Sequence, residues 1–389
     1  VTTATSWDLS TQKGRRLDQV KAELSESGQS TGSNAQIKSV RFGNSGDQVV
    51  ISRTGKGGRT GRVSIVQWDD LATKSFDLPS SIGAPETAFL FGQNQLITLN
   101  GEAAFRWSVD GKEKIKSYRP LAAVTGACFT SDGKIAATAS RSVRLWTTDS
   151  GEAIGKLENP HRGRVTSLDV SNRVGPSGYL FVTTGVGEPA ARLWSWKDRE
   201  TGFRPAGELF IEGTTVRIAR FAPDGVHIML AGDDGSIQIQ SLGDPSSKFQ
   251  WNLPENSFAT CCAFSNDGHY LAVGASDKLA WLIDLRPTST MKPRFMKGHA
   301  DRIESICVLQ DGTDQPRVLT ASRDKSMRVW DPRLSVETAD SSGESEKGRK
   351  VLEFKLPQGV TAVDCTSDGR LVVTAGRDGR VLLWPARSP

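Results

Sequence analysis

The stretch S-R-D-K-S-M-R-V-W-D, Ser322 to Asp331, decides the fold, because degenerate copies of it recur along all 389 residues. S-R-S-V-R-L-W ends at Trp146, A-A-R-L-W at Trp194 and G-R-D-G-R-V-L-L-W at Trp384. Looser copies end at Trp68 and Trp107 and a partial one at Trp7, while Gln240 and Ile283 replace the Trp in two more. Successive copies from Trp68 to Trp384 lie 39, 39, 48, 46, 43, 47 and 54 residues apart. Self-similarity at such a period means that each repeat is one supersecondary unit, stable only against its neighbours.

A second element keeps step with the first, an aromatic residue followed by a tight turn. It reads F-T-S-D-G at Phe129–Gly133, F-A-P-D-G at Phe221–Gly225 and F-S-N-D-G at Phe264–Gly268. C-T-S-D-G (Cys365–Gly369) and F-G-N-S-G (Phe42–Gly46) are variants. Asp-Gly between apolar alternations is a hairpin turn, with Gly taking the positive φ that other residues resist. Short apolar strands follow at Ile135–Thr138, His227–Leu230, Tyr270–Val273 and Leu371–Thr374. Each repeat therefore reads as strand, turn, strand, polar turn, strand ending at the Trp position, then a variable fourth strand.

These residues resemble the WD40 repeat family over nearly the whole chain, and eight copies in register carry the resemblance. The implied fold is an all-β propeller of four-stranded antiparallel blades, with three-strand cores at 37–68, 86–107, 124–146, 165–194, 215–240, 260–283, 303–330 and 360–384. Eight blades is the direct count; seven is the alternative if 86–107, which lacks a D-G turn, is a distorted insertion. The last repeat ends at Trp384 without a fourth strand of its own, and the chain starts with a strand-like T-T-A-T-S-W-D-L. Residues 1–10 are expected to pair with the last blade and close the ring, which removes exposed sheet edges. Residues 11–36 are read as a linker, 37–389 as the blades of one domain, and 335–350 as a flexible loop too poor in apolar residues to offset its ordering entropy. The start without Met reads as a piece of a longer protein.

Composition agrees with one large β domain, since rings of this kind exceed the average domain length. No apolar run approaches the 18 or so residues of a membrane span, and no signal-peptide pattern opens the sequence. The five cysteines, Cys128, Cys261, Cys262, Cys307 and Cys365, fall in or beside first strands without C-x-x-C spacing. They read as buried reduced thiols, not as metal ligands, and point to a reducing, cytoplasmic setting. No cofactor is implied: the Gly-rich run near Lys56 lacks the spacing of a phosphate loop.

His299, in G-H-A-D-R-I-E-S-I, resembles the G-H start of the family's repeat. The resemblance implies a hydrogen-bonded tetrad of His299, Thr320 (with Ser322 as the alternative), Asp324 and Trp330, in which a buried indole N–H and a carboxylate each find a partner. Other repeats hold only parts of it. His161 has no matching Asp in E-P-A-A-R-L-W, and Asp234, Asp277 and Asp378 have no G-H loop, so most blades are expected to hold by packing alone. His227 and His269 read as turn-edge residues. A hydrolase triad is rejected, because the Trp completes a structural network and no G-x-S-x-G elbow exists.

Function then falls to surface. The turn residues Arg323, Arg377 and Arg141, the loop residues Arg162, Arg164, Asp301 and Arg302, and Lys56, Arg59 and Arg62 of the run Arg53–Arg62 are expected on one face. With 49 basic against 44 acidic residues, that face should attract acidic or phosphorylated segments of protein partners. Nucleic acid is set aside because no aromatics interleave with the arginines. The resulting expectation is a non-catalytic interaction scaffold. Two alternatives stand beside it: a sensor domain of a signalling protein, and an enzyme or small-ligand binder using the central channel. The channel residues Arg41, Cys128, Asp169, Arg220 and Asp364 are too mixed for a metal site.

Overall fold

In the computed structural model, the strands between residues 37 and 118 are described, together with 126–147, 152–244, 248–286, 293–309, 316–332, 346–355, 359–365, 371–376 and 381–385. Among these residues every regular element is a β-strand, and no helix is long and apolar enough to cross a membrane. The strands form eight sheets, numbered here in chain order, and within each the repeat's own strands pair antiparallel with their sequence neighbours. The stretch 86–107 forms an ordinary sheet 2 despite its missing D-G turn, from Thr87–Phe91, Gln95–Leu99, Ala104–Ser108 and Lys114–Tyr118. Sheet 8 has three strands, Val360–Cys365, Leu371–Gly376 and Val381–Pro385. The expected closing strand (1–10) and linker (11–36) lie outside the described residues, as do Lys56, Arg59 and Arg377.

The D-G turns form for the reason their residues suggest. Gly133, Gly225 and Gly268 have φ of 67°, 65° and 73°, and the Asp before each accepts backbone N–H bonds from beyond the turn. Asp132 takes Lys134 N at 3.1 Å and Asp267 takes His269 N at 2.9 Å. Such Asx bonding pins the turn without help from the sheet.

The loop expected over 335–350 differs at its end. Glu346–Lys347 is a short strand that adds parallel to Arg294–Met296, making sheet 6 five-stranded, and the fourth strand of sheet 7 begins at Arg349. Gly348 N donates to Phe295 O at 2.8 Å, and a free sheet edge is a ready template for this pairing. Residues 335–345 lie outside the described ones.

The chain divides into two compact units, 101–106 with 115–259, and 1–100 with 107–114 and 260–389. In the first, sheets 3, 4 and 5 stack through both faces. Ile135, Leu145, Val165, Leu168, Phe181 and Trp196 fill the space between sheets 3 and 4. Val182, Leu193, Val216, Ala219, Ile228 and Leu230 fill that between sheets 4 and 5. Phe181 and Val182 are chain neighbours on opposite sides, as the two-residue period of a strand requires. This is why second strands such as His227–Gly232 are buried beyond their first residue and read as continuous apolar runs. In the second unit, Tyr270, Leu282, Ile306, Val318 and Trp330 pack between sheets 6 and 7, and Cys307, Leu319, Val329, Val360 and Val372 between sheets 7 and 8.

First strands also bond sideways to the first strand of the next sheet. Ser167 Oγ donates to Ala219 O (3.2 Å), Phe221 N to Asp169 Oδ2 (2.9 Å) and Arg220 Nη1 to Leu168 O (3.0 Å). Thr260 donates to Ile303 O (2.7 Å) and Ser305 to Val363 O (3.2 Å) in the other unit. Burial raises the Asp169 carboxyl, against the lowering pull of Arg220. The five cysteines are free thiols. A hydrogen bond with Cys365, together with burial, raises Cys307 well above an ordinary thiol, and burial takes Cys261 to about 12.

Candidate functional site

Thr320 sits on the second strand of sheet 7 (Arg317–Ser322), Trp330 on the third (Ser326–Asp331), and Asp324 in the turn between them. Their side chains and His299 form a continuous chain of hydrogen bonds. Trp330 Nε1 donates to Thr320 Oγ1 at 2.8 Å, Thr320 Oγ1 lies 2.7 Å from His299 Nε2, and His299 Nδ1 lies 2.8 Å from Asp324 Oδ2. The indole can only donate, so the threonine hydroxyl donates onward to a neutral imidazole whose Nδ1–H then faces the carboxylate. Every group is satisfied when the histidine is neutral. Asp324 also accepts Ala300 N (2.8 Å) and Ser326 Oγ (2.6 Å). Burial lowers the His299 pKa; at Asp324 the hydrogen bonds outweigh burial and hold the carboxyl below its ordinary value. Ser322 instead donates to Asp301 O and Arg302 O, both at 2.9 Å.

Sheet 4 carries a second network, where none was expected. His161 Nε2 lies 2.8 Å from Thr183 Oγ1 and Nδ1 lies 2.8 Å from Glu188 Oε2, while Trp194 Nε1 donates to Thr183 Oγ1 at 2.9 Å. Arg162 N donates to Glu188 Oε1 at 2.5 Å, as Ala300 N does to Asp324. Glutamate thus does in E-P-A-A-R-L-W what aspartate does in R-D-K-S-M-R-V-W. The signal was the offset: Glu188 and Asp324 each stand six residues before their Trp. The longer side chain spans the extra residue that Gly187 puts in the turn. Burial lowers His161, and hydrogen bonds lower Glu188 despite burial, as in sheet 7. Sheet 3 keeps one link, Trp146 Nε1 to Thr138 Oγ1 at 3.0 Å.

An arginine two residues before each Trp extends both networks. Arg328 pairs with Glu353 (3.1 Å) and Arg192 with Glu208 (3.1 Å), each directly opposite on the fourth strand. Arg192 also reaches Pro160 O and Glu188, and a Cβ on Gly298 would run into the Arg328 guanidinium. The outer strand is thereby tied to the loop that carries the histidine. None of this is catalytic geometry, because Thr320 is 0% exposed and its hydroxyl is held by an indole. Among the described residues, no three His, Cys, Asp or Glu side chains gather to hold a metal.

The arginines expected to form one free basic face fare differently. Arg302 donates to Glu304 at 2.9 Å and Arg323 bonds the same carboxylate, so this pair is partly neutralised. Sequence reasoning missed Glu304, which lies on the first strand of sheet 7 (Ile303–Leu309). Arg141, Arg162 and Arg164 are exposed. His227 and His269 are exposed turn residues beside Asp224 (2.5 Å) and Asp267 (3.2 Å).

Repeated four-stranded antiparallel meanders, two of them with a third-strand indole held by threonine, histidine and carboxylate, define a class of β-repeat protein. The family described as "WD domain, G-beta repeat" matches residues 247–284, 291–331 and 348–385, so these three segments are WD40 repeats. The chain is 30% identical over 165 residues to pre-mRNA-processing factor 19 homolog 2 of Arabidopsis thaliana, covering 40% of this chain and 28% of that one. It is 29% identical to protein transport protein sec13 of Emericella nidulans over 44% of this chain and 58% of that one. With echinoderm microtubule-associated protein-like 2 of Mus musculus it shares 28% identity over 54% and 33%. The chain spans less than two thirds of each of these relatives.

Proposed function

We propose that the chain is a non-catalytic interaction scaffold, a single ring of eight blades that presents loop surfaces to protein partners within a larger assembly. The observation that carries the functional reading is where the polar chemistry goes. The histidine, carboxylate and hydroxyl groups of the networks in sheets 4 and 7 are buried and bonded to one another, while Arg141, Arg162 and Arg164 are exposed on loops. Relatives named as a pre-mRNA-processing factor and a THO complex subunit support a place in assemblies. The ring reading is supported by eight sheets and by the first strand of sheet 1 (Ile37–Phe42) lying against the first two strands of sheet 8. On this reading the strand-like sequence T-T-A-T-S-W-D-L, which lies outside the described residues, is the candidate to close the ring. Five free thiols favour the cytoplasm.

Chemical cross-linking at native abundance, followed by purification, tests the function. The chain is expected to be recovered in a complex of fixed composition whose members cross-link to loop residues. Recovery of the chain by itself, across growth conditions, would overturn the reading.

A further inference from the structure

The two histidine loops are built alike and charged differently. Counted from His299, the loop of sheet 7 reads Ala300, Asp301, Arg302, Ile303 and Glu304; counted from His161, that of sheet 4 reads Arg162, Gly163, Arg164, Val165 and Thr166. Both acids of the first loop are gone from the second, and an arginine has been added. The turn residue that is Arg323 in sheet 7 is Val186 in sheet 4, and it is 55% exposed.

These residues form one cluster, fixed by backbone bonds. Val165 N donates to Ser140 O (2.8 Å), which sets Arg164 beside the turn carrying Arg141. Val186 N donates to Arg164 O (3.1 Å), and a Cβ on Gly163 would meet the Val186 Cβ at 3.8 Å. Glu188 is turned inward, held by His161, Arg192 and the Arg162 amide. Glu158 pairs with Lys156. Among the described residues, no carboxylate forms an ion pair with Arg141, Arg162 or Arg164.

We propose that Arg141, Arg162 and Arg164, grouped around Val186, are the docking site for an acidic segment of a partner protein, with one apolar side chain set on Val186. Charge complementarity selects the occupant, because three unneutralised guanidinium groups attract carboxylates or phosphates. The exposed valine between them favours a peptide side chain over the evenly spaced phosphates of a nucleic acid. The buried network beneath holds the loop rigid before binding, which lowers the ordering cost. The proposal rests on the interaction-scaffold reading and names its surface.

The test uses the full chain and a fluorescein-labelled peptide of glutamates flanking one leucine, followed by anisotropy. Arg141→Glu/Arg164→Glu is expected to weaken binding about tenfold or more. Val186→Ser should weaken it less, and Arg302→Glu/Arg323→Glu should leave it within about twofold, all three remaining folded by circular dichroism. Equal weakening by both arginine pairs would mean bulk charge attraction and overturn the site. So would tighter binding of oligouridine or phosphatidylserine vesicles that is lost in the same variant. Photo-cross-linking in cells from Val186→p-benzoylphenylalanine, against the exposed Val351→p-benzoylphenylalanine, separates the two failures. Adducts only from position 351 would sink the site and keep the scaffold; adducts from neither, with no peptide binding, would sink both.

Discussion

Thr320 shows how a single hydroxyl can organise a blade. It accepts from Trp330 and donates to His299, so Thr320→Val should leave an indole N–H and an imidazole nitrogen buried without partners. The expected cost is about 1–3 kcal/mol in urea unfolding, against about 1 kcal/mol for Thr138→Val, which breaks one such bond. The same network sets a pH dependence. His161 and His299 have lowered pKa values in the folded chain, so the unfolded chain binds protons more readily, and stability is lost as pH falls below the ordinary histidine value of about 6.5. Asp324 and Glu188 are lowered too, so their contribution disappears further down, from about pH 4. The charged neighbours Arg328, Glu353 and Arg192 do not reverse this direction. Urea midpoints should fall between pH 7 and pH 5, and His161→Gln/His299→Gln should flatten that part of the curve. A midpoint independent of pH there would contradict the neutral-histidine assignment. His299, Asp324 and Trp330 were legible because aspartate and G-H stand where the family puts them. Glu188 was not, because both the acid and the turn length changed together.

At the level of strands and turns, the D-G and R-D-K motifs announced themselves through chemistry local to a few residues. What stayed hidden was pairing between segments far apart in sequence. Glu346–Lys347 joins sheet 6 by parallel bonds to Arg294–Met296, and nothing in a charged, apolar-poor stretch foretells it. Glu304 partly neutralises Arg302 and Arg323 from a strand that reads only as apolar alternation. The long hairpin of sheet 4, Val165–Gly175 with Gly178–Gly185, makes a sharper demand. Gly178 has φ of 88°, and a Cβ there would run into the Trp196 carbonyl and the Lys197 backbone. Gly178→Ala should therefore cost about 2 kcal/mol or more. Gly187→Ala, at φ of 67° with open space around it, should cost about 1 kcal/mol. Equal losses in thermal unfolding would argue that backbone conformation alone decides both.

Within each of the two compact units, packing and sideways bonds run between adjacent sheets, so stability there follows nearest-neighbour coupling. In the proposed ring, closure by residues 1–10 converts a row of such couplings into a circle. A chain lacking them should unfold at lower urea with a shallower transition, and a synthetic peptide of residues 1–10 should restore the midpoint. An unchanged midpoint would sink the closure. The buried thiol of Cys307 has a use here beyond packing. With its pKa raised and its side chain packed between sheets 7 and 8, Cys307 offers almost no thiolate to a reagent while the chain is folded. Its rate of alkylation therefore counts openings of that seam, giving the protein a built-in clock for how often two adjacent blades part.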